Sequence, residues 1–128
     1  MILVDTSSWI HFLRANGDAA ARGRVRAHLL SGEAAWCPIV RLELWNGARG
    51  QREKTILREF EETLPELPIT EAIWQAACKL AQAARSNGLT LPATDILIAT
   101  CAGAHQARLE HSDSDFELLA GLNSGSWP

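Results

Sequence analysis

The sequence contains no tyrosine, three phenylalanines and only three cysteines in 128 residues. Cys37, Cys78 and Cys101 are odd in number and show no C-x-x-C spacing, so neither a disulfide framework nor a structural zinc site has support. They read as three reduced, buried thiols, which points to a cytoplasmic protein. Long apolar runs are also missing, since nothing approaches the roughly 20 residues that a spanning helix needs. Met1-Ile2-Leu3-Val4 meets Asp5 at once, without the basic start of a signal peptide. Membrane insertion and secretion are therefore not expected. Lysine is scarce: Lys54 and Lys79 are the only basic residues that are not arginine.

What is present is ordinary for a globular chain. Hydrophobic residues make up 47% and charged residues 21%, far from the profile of a disordered polypeptide. The length leaves room for one domain, residues 1–128. Such a domain buries about two-thirds of its unfolded surface and needs no metal merely to fold, so a bound metal would be functional. The net charge of −3 ordinarily disfavours a polyanionic partner. Its distribution is uneven, however. Residues 1–58 carry nine Lys/Arg against five Asp/Glu, net +4, whereas residues 59–128 carry three against ten, net −7.

Ile2-Leu3-Val4 predicts a buried strand, and Asp5-Thr6-Ser7-Ser8 the N-cap of a helix that places Trp9, Phe12 and Leu13 on one face. Asp18 caps a second helix running to Leu30. Ala34 to Cys37 reads as a second strand, and Pro38 opens a helix through Glu43 to Asn46-Gly47. Gln51 to Leu64 is helical in period, and Pro65 and Pro68 bracket a possible third strand around Leu67-Ile69. Thr70-Glu71 starts a helix that ends at Asn87-Gly88. The segment Ile96 to Ala102 is apolar all round and belongs inside the fold, with Asp95 in its first turn. Arg108 to His111 predicts a fourth strand and Phe116 to Ala120 a last short helix; Asn123 to Ser126 is expected to fray. Strands alternating with helices favour an α/β fold, with a short, mostly parallel central sheet flanked by helices.

In an open parallel sheet the ligand site lies beyond the carboxyl ends of the strands. Asp5 follows the first strand, and Asp113 and Asp115 follow the last; Asp95 and Glu43 sit on helices that start from or near the same edge. Carboxylates among apolar neighbours are costly to desolvate unless paired, and no Lys or Arg stands near Asp95 in sequence. Converging acids raise one another's pKa unless a divalent cation neutralises them, and oxygen-only ligands select Mg²⁺ or Mn²⁺. Simpler roles exist for each residue: Asp5 and Asp95 as helix caps, Glu43 as an ion-pair partner of Arg41 or Arg49, Asp113 and Asp115 as turn residues.

Val4-Asp5-Thr6-Ser7-Ser8-Trp9-Ile10, Arg41-Leu42-Glu43-Leu44, Thr94-Asp95-Ile96-Leu97-Ile98-Ala99-Thr100 and His111-Ser112-Asp113-Ser114-Asp115-Phe116, in that order, resemble the motifs of PIN-domain ribonucleases. In length and end-to-end coverage the chain is most similar to the VapC toxins of bacterial toxin–antitoxin pairs. The resemblance implies a single PIN-like domain with Asp5, Glu43, Asp95 and Asp113 as an acidic catalytic quartet. It implies Asp5, Asp95, Asp113 and Asp115 as the metal ligands, with Asp113 ranked before Asp115, and Thr6 as the accompanying hydroxyl residue. It further implies Mg²⁺- or Mn²⁺-dependent endonucleolytic cleavage of RNA that leaves a 5′-phosphate and a 3′-hydroxyl, a homodimer, and a small VapB-type antitoxin. His11, His28, His105 and His111 show no paired spacing suited to metal-independent ribonuclease chemistry.

An acidic quartet repels RNA, so basic residues must draw it in. Arg22, Arg24 and Arg26, and separately Arg49, Arg52, Lys54 and Arg58, are the candidates for RNA or antitoxin contact; a solvated helix face with pairs such as Arg58–Glu62 is the plainer reading. Most of Trp9, Trp36, Trp45, Trp74 and Trp127 belong in a core, while Trp9 and Trp45 lie near acidic motifs and suit an antitoxin groove or a stacked base. A haloacid-dehalogenase-type phosphatase would place a second Asp where Ser7 stands, and a receiver-type site would want a downstream Lys better placed than Lys79. The alternative outside enzymes is a catalytically silent PIN-like module that binds RNA or protein.

Overall fold

Strand β1 (Ile2–Val4) lies at the centre of a three-stranded parallel sheet of order β2-β1-β3, with β2 at Ala34–Ala35 and β3 at Arg108–Glu110. The computed structural model describes residues 1–122. Ile2 pairs with Ala34 on one side and Arg108 on the other, and Val4 pairs with Glu110. Being covered on both faces, β1 is fully buried, which is why it reads as an unbroken apolar run. Parallel strands need crossovers, and helices supply them: α1 (Thr6–Leu13) and α2 (Ala19–Leu30) between β1 and β2, then α3 (Pro38–Asn46), α4 (Gly50–Thr63), α5 (Glu71–Ser86) and α6 (Ala93–Ala104) before β3. Helix α7 (Asp115–Leu122) follows β3. The α/β class with a parallel sheet is the one expected.

Local chemistry sets the helix starts. Asp5 accepts from the Ser8 N–H at 2.9 Å, Asp18 from that of Ala21 at 2.9 Å and Thr70 from that of Ile73 at 3.3 Å, while Pro38 occupies the first turn of α3. In α6 every residue from Ile96 to Ala102 is buried, as its all-round apolarity predicts. The aromatic core joins helices to sheet: the Phe60 ring stands 4.9 Å from Trp9 and 6.0 Å, edge-on, from Trp36.

Two strand expectations need correction. The stretch around Leu67-Ile69 is not a strand; it meets the second strand region through one parallel bridge, Trp36 with Glu66, held by Trp36 N–H to Pro65 O and Leu67 N–H to Trp36 O. Pro65 and Pro68 lack the donors a ladder would need there. The second strand is shorter than Ala34 to Cys37, since Trp36 makes only that isolated bridge and Cys37 caps α3, and with no strand at Leu67-Ile69 the expected fourth strand is the third. Cys37 and Cys101 are buried as expected, but Cys78 is exposed on α5. Trp127 and the segment 123–126 lie outside the described residues.

Ile98, 1% exposed between the sheet and the other helices, tests the core. Ile98→Ala is expected to lower unfolding free energy by about 2–5 kcal/mol in urea titration, the range for a buried aliphatic truncation; a change near zero would place α6 outside the core.

Candidate functional site

Because all three strands run parallel, their carboxyl ends share one edge, and a helix returning to the next strand starts there. Asp5 is the first residue beyond β1, its N–H bonded to the Glu110 carbonyl at the end of β3 at 3.0 Å. Asp113 and Asp115 lie in the loop and first turn beyond β3, and Asp95 in the first turn of α6, the helix that leads back into β3. Glu43 lies on α3, which follows β2. The topology thus delivers five acids from four segments to one place.

Their environments differ. Asp5 is 3% exposed. Burial raises its pKa and outweighs what favours the ion: donation by the Ser8 N–H and by the Ser7 and Ser8 hydroxyls, and the charge of the nearby His111. Asp95 is pushed up to about 7, first by desolvation and then by the charges of Asp113, Asp115, Asp5 and Glu43. One carboxylate oxygen from each of Asp95, Asp113 and Asp115 falls within a group no wider than 4.8 Å. Asp5 and Glu43 stand outside that group yet close enough for their charge to act on Asp95. The choice between Asp113 and Asp115 dissolves into geometry: Asp113 Oδ1 accepts from the Asp115 N–H at 2.9 Å, tightening the loop so that both carboxylates reach Asp95.

Among the described residues, none of the five acids forms an ion pair with Lys or Arg. Glu43 accepts from the Thr6 hydroxyl at 2.7 Å, while Arg41 pairs with Glu66 at 3.2 Å and the Arg49 N–H binds Glu53. The ion-pair role considered for Glu43 is thus not realised. A cluster of oxygen donors that carries excess negative charge and, among the described residues, has no Lys or Arg paired to it fits a hard divalent cation. Asp95, Asp113 and Asp115 would hold it, with Asp5 beside them.

The basic candidates divide. Arg22, Arg26 and Arg52 line one groove of about 340 Å³ with Phe12, Ala19 and Gly23. Arg22 and Arg52 are steadied there by bonds to the Ala15 and Leu13 carbonyls, each 3.0 Å. Arg24 faces elsewhere, its Nε bonded to both oxygens of the nearly buried Glu110, which His28 also contacts at 3.0 Å. Arg49 is exposed ahead of α4. Arg58 lies over the Trp45 ring at 5.9 Å rather than pairing with Glu62. Trp45 is half-buried, its Nε1 bonded to Glu61. Trp9 is fully buried, which corrects the expectation that it lines a groove or stacks a base. Sequence reasoning passed over the hydroxyls of Ser7, Ser8 and Ser112, which knit Asp5 to the loop beyond β3. The signal lay in Ser7-Ser8, which follow Thr6 in the first motif but carry no expected role beyond the start of the helix.

Asp95 generates a pH dependence of definite sign. Its folded pKa of about 7 lies above the ordinary 3.8, so the folded chain keeps a proton that the unfolded chain releases across that window. Stability falls as pH rises from the lower value through the upper. In chelator, thermal melts from about pH 5 to about pH 8 should show wild type losing stability relative to Asp95→Asn, which melts higher by a few degrees at the alkaline end. Parallel profiles would show that Asp95 is not crowded by charge.

The PIN domain family matches residues 2–122. A VapC ribonuclease of Mycobacterium bovis is 40% identical over 129 aligned positions, covering 97% of this chain and 95% of its own length, and ribonuclease VapC11 of Mycobacterium tuberculosis matches equally. In fold, the chain resembles the crystal structure of FitAcB from Neisseria gonorrhoeae, with TM-score 0.70, 20% identity and 94% of each chain covered. It also resembles VapBC2 from Rickettsia felis bound to a DNA fragment from their promoter, with TM-score 0.71, 16% identity and 92% of each chain covered. From motif order, sheet edge and full-length identity together, the chain belongs to the PIN-domain family and, within it, to the VapC group.

Proposed function

We propose that this protein is a divalent-metal-dependent endoribonuclease, acting in the cytoplasm as the toxin of a toxin–antitoxin pair. The observation that carries the reading is the acid cluster at the sheet edge, in which Asp95 is crowded by four carboxylates and no acid is paired with Lys or Arg among the described residues. The curated relatives named as VapC ribonucleases at 40% identity support RNA as the substrate. The resemblance to VapBC2 and FitAcB supports a VapB-type antitoxin as the partner. No helix among the described residues is long and apolar enough to cross a membrane.

Asp95, Asp113 and Asp115, with Asp5, bind and orient Mg²⁺ or Mn²⁺. When bound, such an ion acidifies a water and neutralises charge on phosphoryl oxygens. Asp5 is held by the Ser8 N–H and the Ser7 hydroxyl, so its carboxylate is fixed before any ligand arrives. Glu43, fixed by Thr6, adds its charge to the cluster around Asp95. Arg22, Arg26 and Arg52 offer guanidinium forks that match phosphates of RNA or carboxylates of an antitoxin. The chain acts as a homodimer, and the antitoxin keeps it inactive until released.

Two outcomes test this. Excess EDTA, or Asp95→Asn, should reduce cleavage of RNA by more than the roughly 10- to 100-fold typical of losing an outer-shell contact; full cleavage under either condition overturns the metal-dependent reading. Arg22→Ala, Arg26→Ala and Arg52→Ala, singly, should weaken RNA binding in gel shift and flatten its salt dependence by about one phosphate contact each. Variants that bind RNA normally yet fail to capture the antitoxin would assign the groove to the partner.

A further inference from the structure

Three hydroxyls lie between Asp5 and the loop that carries Asp113 and Asp115. The Ser7 hydroxyl reaches both oxygens of the Asp5 carboxylate, at 3.0 and 2.8 Å, and so spends its one proton there. Its lone pairs are left to accept, and the Ser112 backbone N–H donates to one of them at 3.3 Å. The Ser8 and Ser112 hydroxyls lie 3.0 Å apart, with Ser8 wholly buried. Together with the bond from the Asp5 N–H to the Glu110 carbonyl, the β1–α1 junction is fastened to the β3–α7 loop at Glu110 O, Ser112 N and Ser112 Oγ.

A serine in the first turn of a helix commonly satisfies a nearby backbone donor, which would be a purely local role. Ser7 does something else, since the amide it accepts from is 105 residues away. The bond it receives comes from the residue immediately before Asp113, and the bond it gives goes to Asp5. We infer that Ser7 is a positioning residue, whose hydroxyl couples the orientation of Asp5 to the placement of the Asp113–Asp115 loop and thereby sets the affinity of the site for a divalent cation. The inference rests on the metal-dependent reading above. Removing the hydroxyl leaves the Asp5 carboxylate held only from the Ser8 side, takes the acceptor from the Ser112 N–H, and lets the loop drift from Asp95. The fold loses little, because alanine suits a helix and the Asp5–Ser8 cap is untouched.

The test is a calorimetric titration of Mn²⁺ into the full chain as wild type, Ser7→Ala, Ser7→Thr and Asp95→Asn, with amide hydrogen exchange across residues 111–116 and a thermal melt of each. Ser7→Ala is expected to raise the Mn²⁺ dissociation constant about tenfold, the lower end for loss of an outer-shell contact. The Ser112 amide should exchange faster in that variant, with the melting temperature close to wild type. Ser7→Thr keeps the hydroxyl and should restore both readouts. Wild-type affinity in Ser7→Ala, alongside lost binding in Asp95→Asn, overturns this inference and leaves the metal site standing. Unchanged Mn²⁺ binding in Asp95→Asn overturns the metal site itself. A loss of affinity that Ser7→Thr does not rescue assigns Ser7 to folding alone and also overturns the inference. Should Ser7→Ala fold poorly, Ser7→Cys, similar in size but a weak donor, carries the same comparison.

Discussion

The structure turns on repulsion among carboxylates that the topology forces together. A three-stranded parallel sheet has one carboxyl edge, and this chain places Asp5, Asp113 and Asp115 just beyond two of its strands, with Asp95 at the start of the returning helix. Each acid has a local reason to be where it is. Asp5 caps α1, and Asp113 closes a turn through the Asp115 N–H. What those local roles leave unexplained is their sum: a carboxyl at position 95 driven to about 7, first by burial and then by the charges of its neighbours. Uncompensated charge of that kind costs the empty fold stability and rewards whatever cation relieves it, which is how a destabilising feature becomes a binding site.

The rest of the molecule is arranged around that constraint. Hydroxyls rather than ammonium or guanidinium groups steady the acids: Thr6 on Glu43, Ser7 on Asp5, and Ser112 against Ser7 and Ser8. A hydroxyl fixes a carboxylate without neutralising it, so its attraction for a cation survives. Arginines are kept from direct pairing with the cluster. Those that pair do so with Glu53, Glu110 and Glu66, and Arg22, Arg26 and Arg52 gather in a separate groove. The net charge of −3 therefore averages two regions of opposite sign, one suited to a cation and one to a polyanion.

Much of this was legible in the sequence because the signals are local. Ile2-Leu3-Val4 before Asp5, Pro38 at the start of α3, and the all-apolar Ile96 to Ala102 each state their element within a few residues. The site was legible because acids that interrupt or follow apolar runs stand out against a strand-helix alternation. What stayed hidden depends on contacts between distant segments. Leu67-Ile69 has strand-like composition, but its prolines allow only one bridge to Trp36. Trp9 sits beside Asp5 in sequence, yet the helix turns its ring onto Phe60 and away from solvent. Arg24 and Arg26 are two residues apart and so face different sides of α2, one to Glu110 and one to the groove. Ser7 gave no sign of reaching residue 112, because nothing in a first-turn serine announces a long-range acceptor.

On the proposed function, a cation completes the carboxylate cluster by displacing the proton that Asp95 holds near neutrality. Calorimetric titration of Mn²⁺ at about pH 7 in two buffers of different ionisation enthalpy measures binding and proton release together. Saturable binding is expected, with release of about half a proton or more per ion that falls away as pH rises well above 7. Absence of binding, or binding whose heat is the same in both buffers, would overturn the metal site.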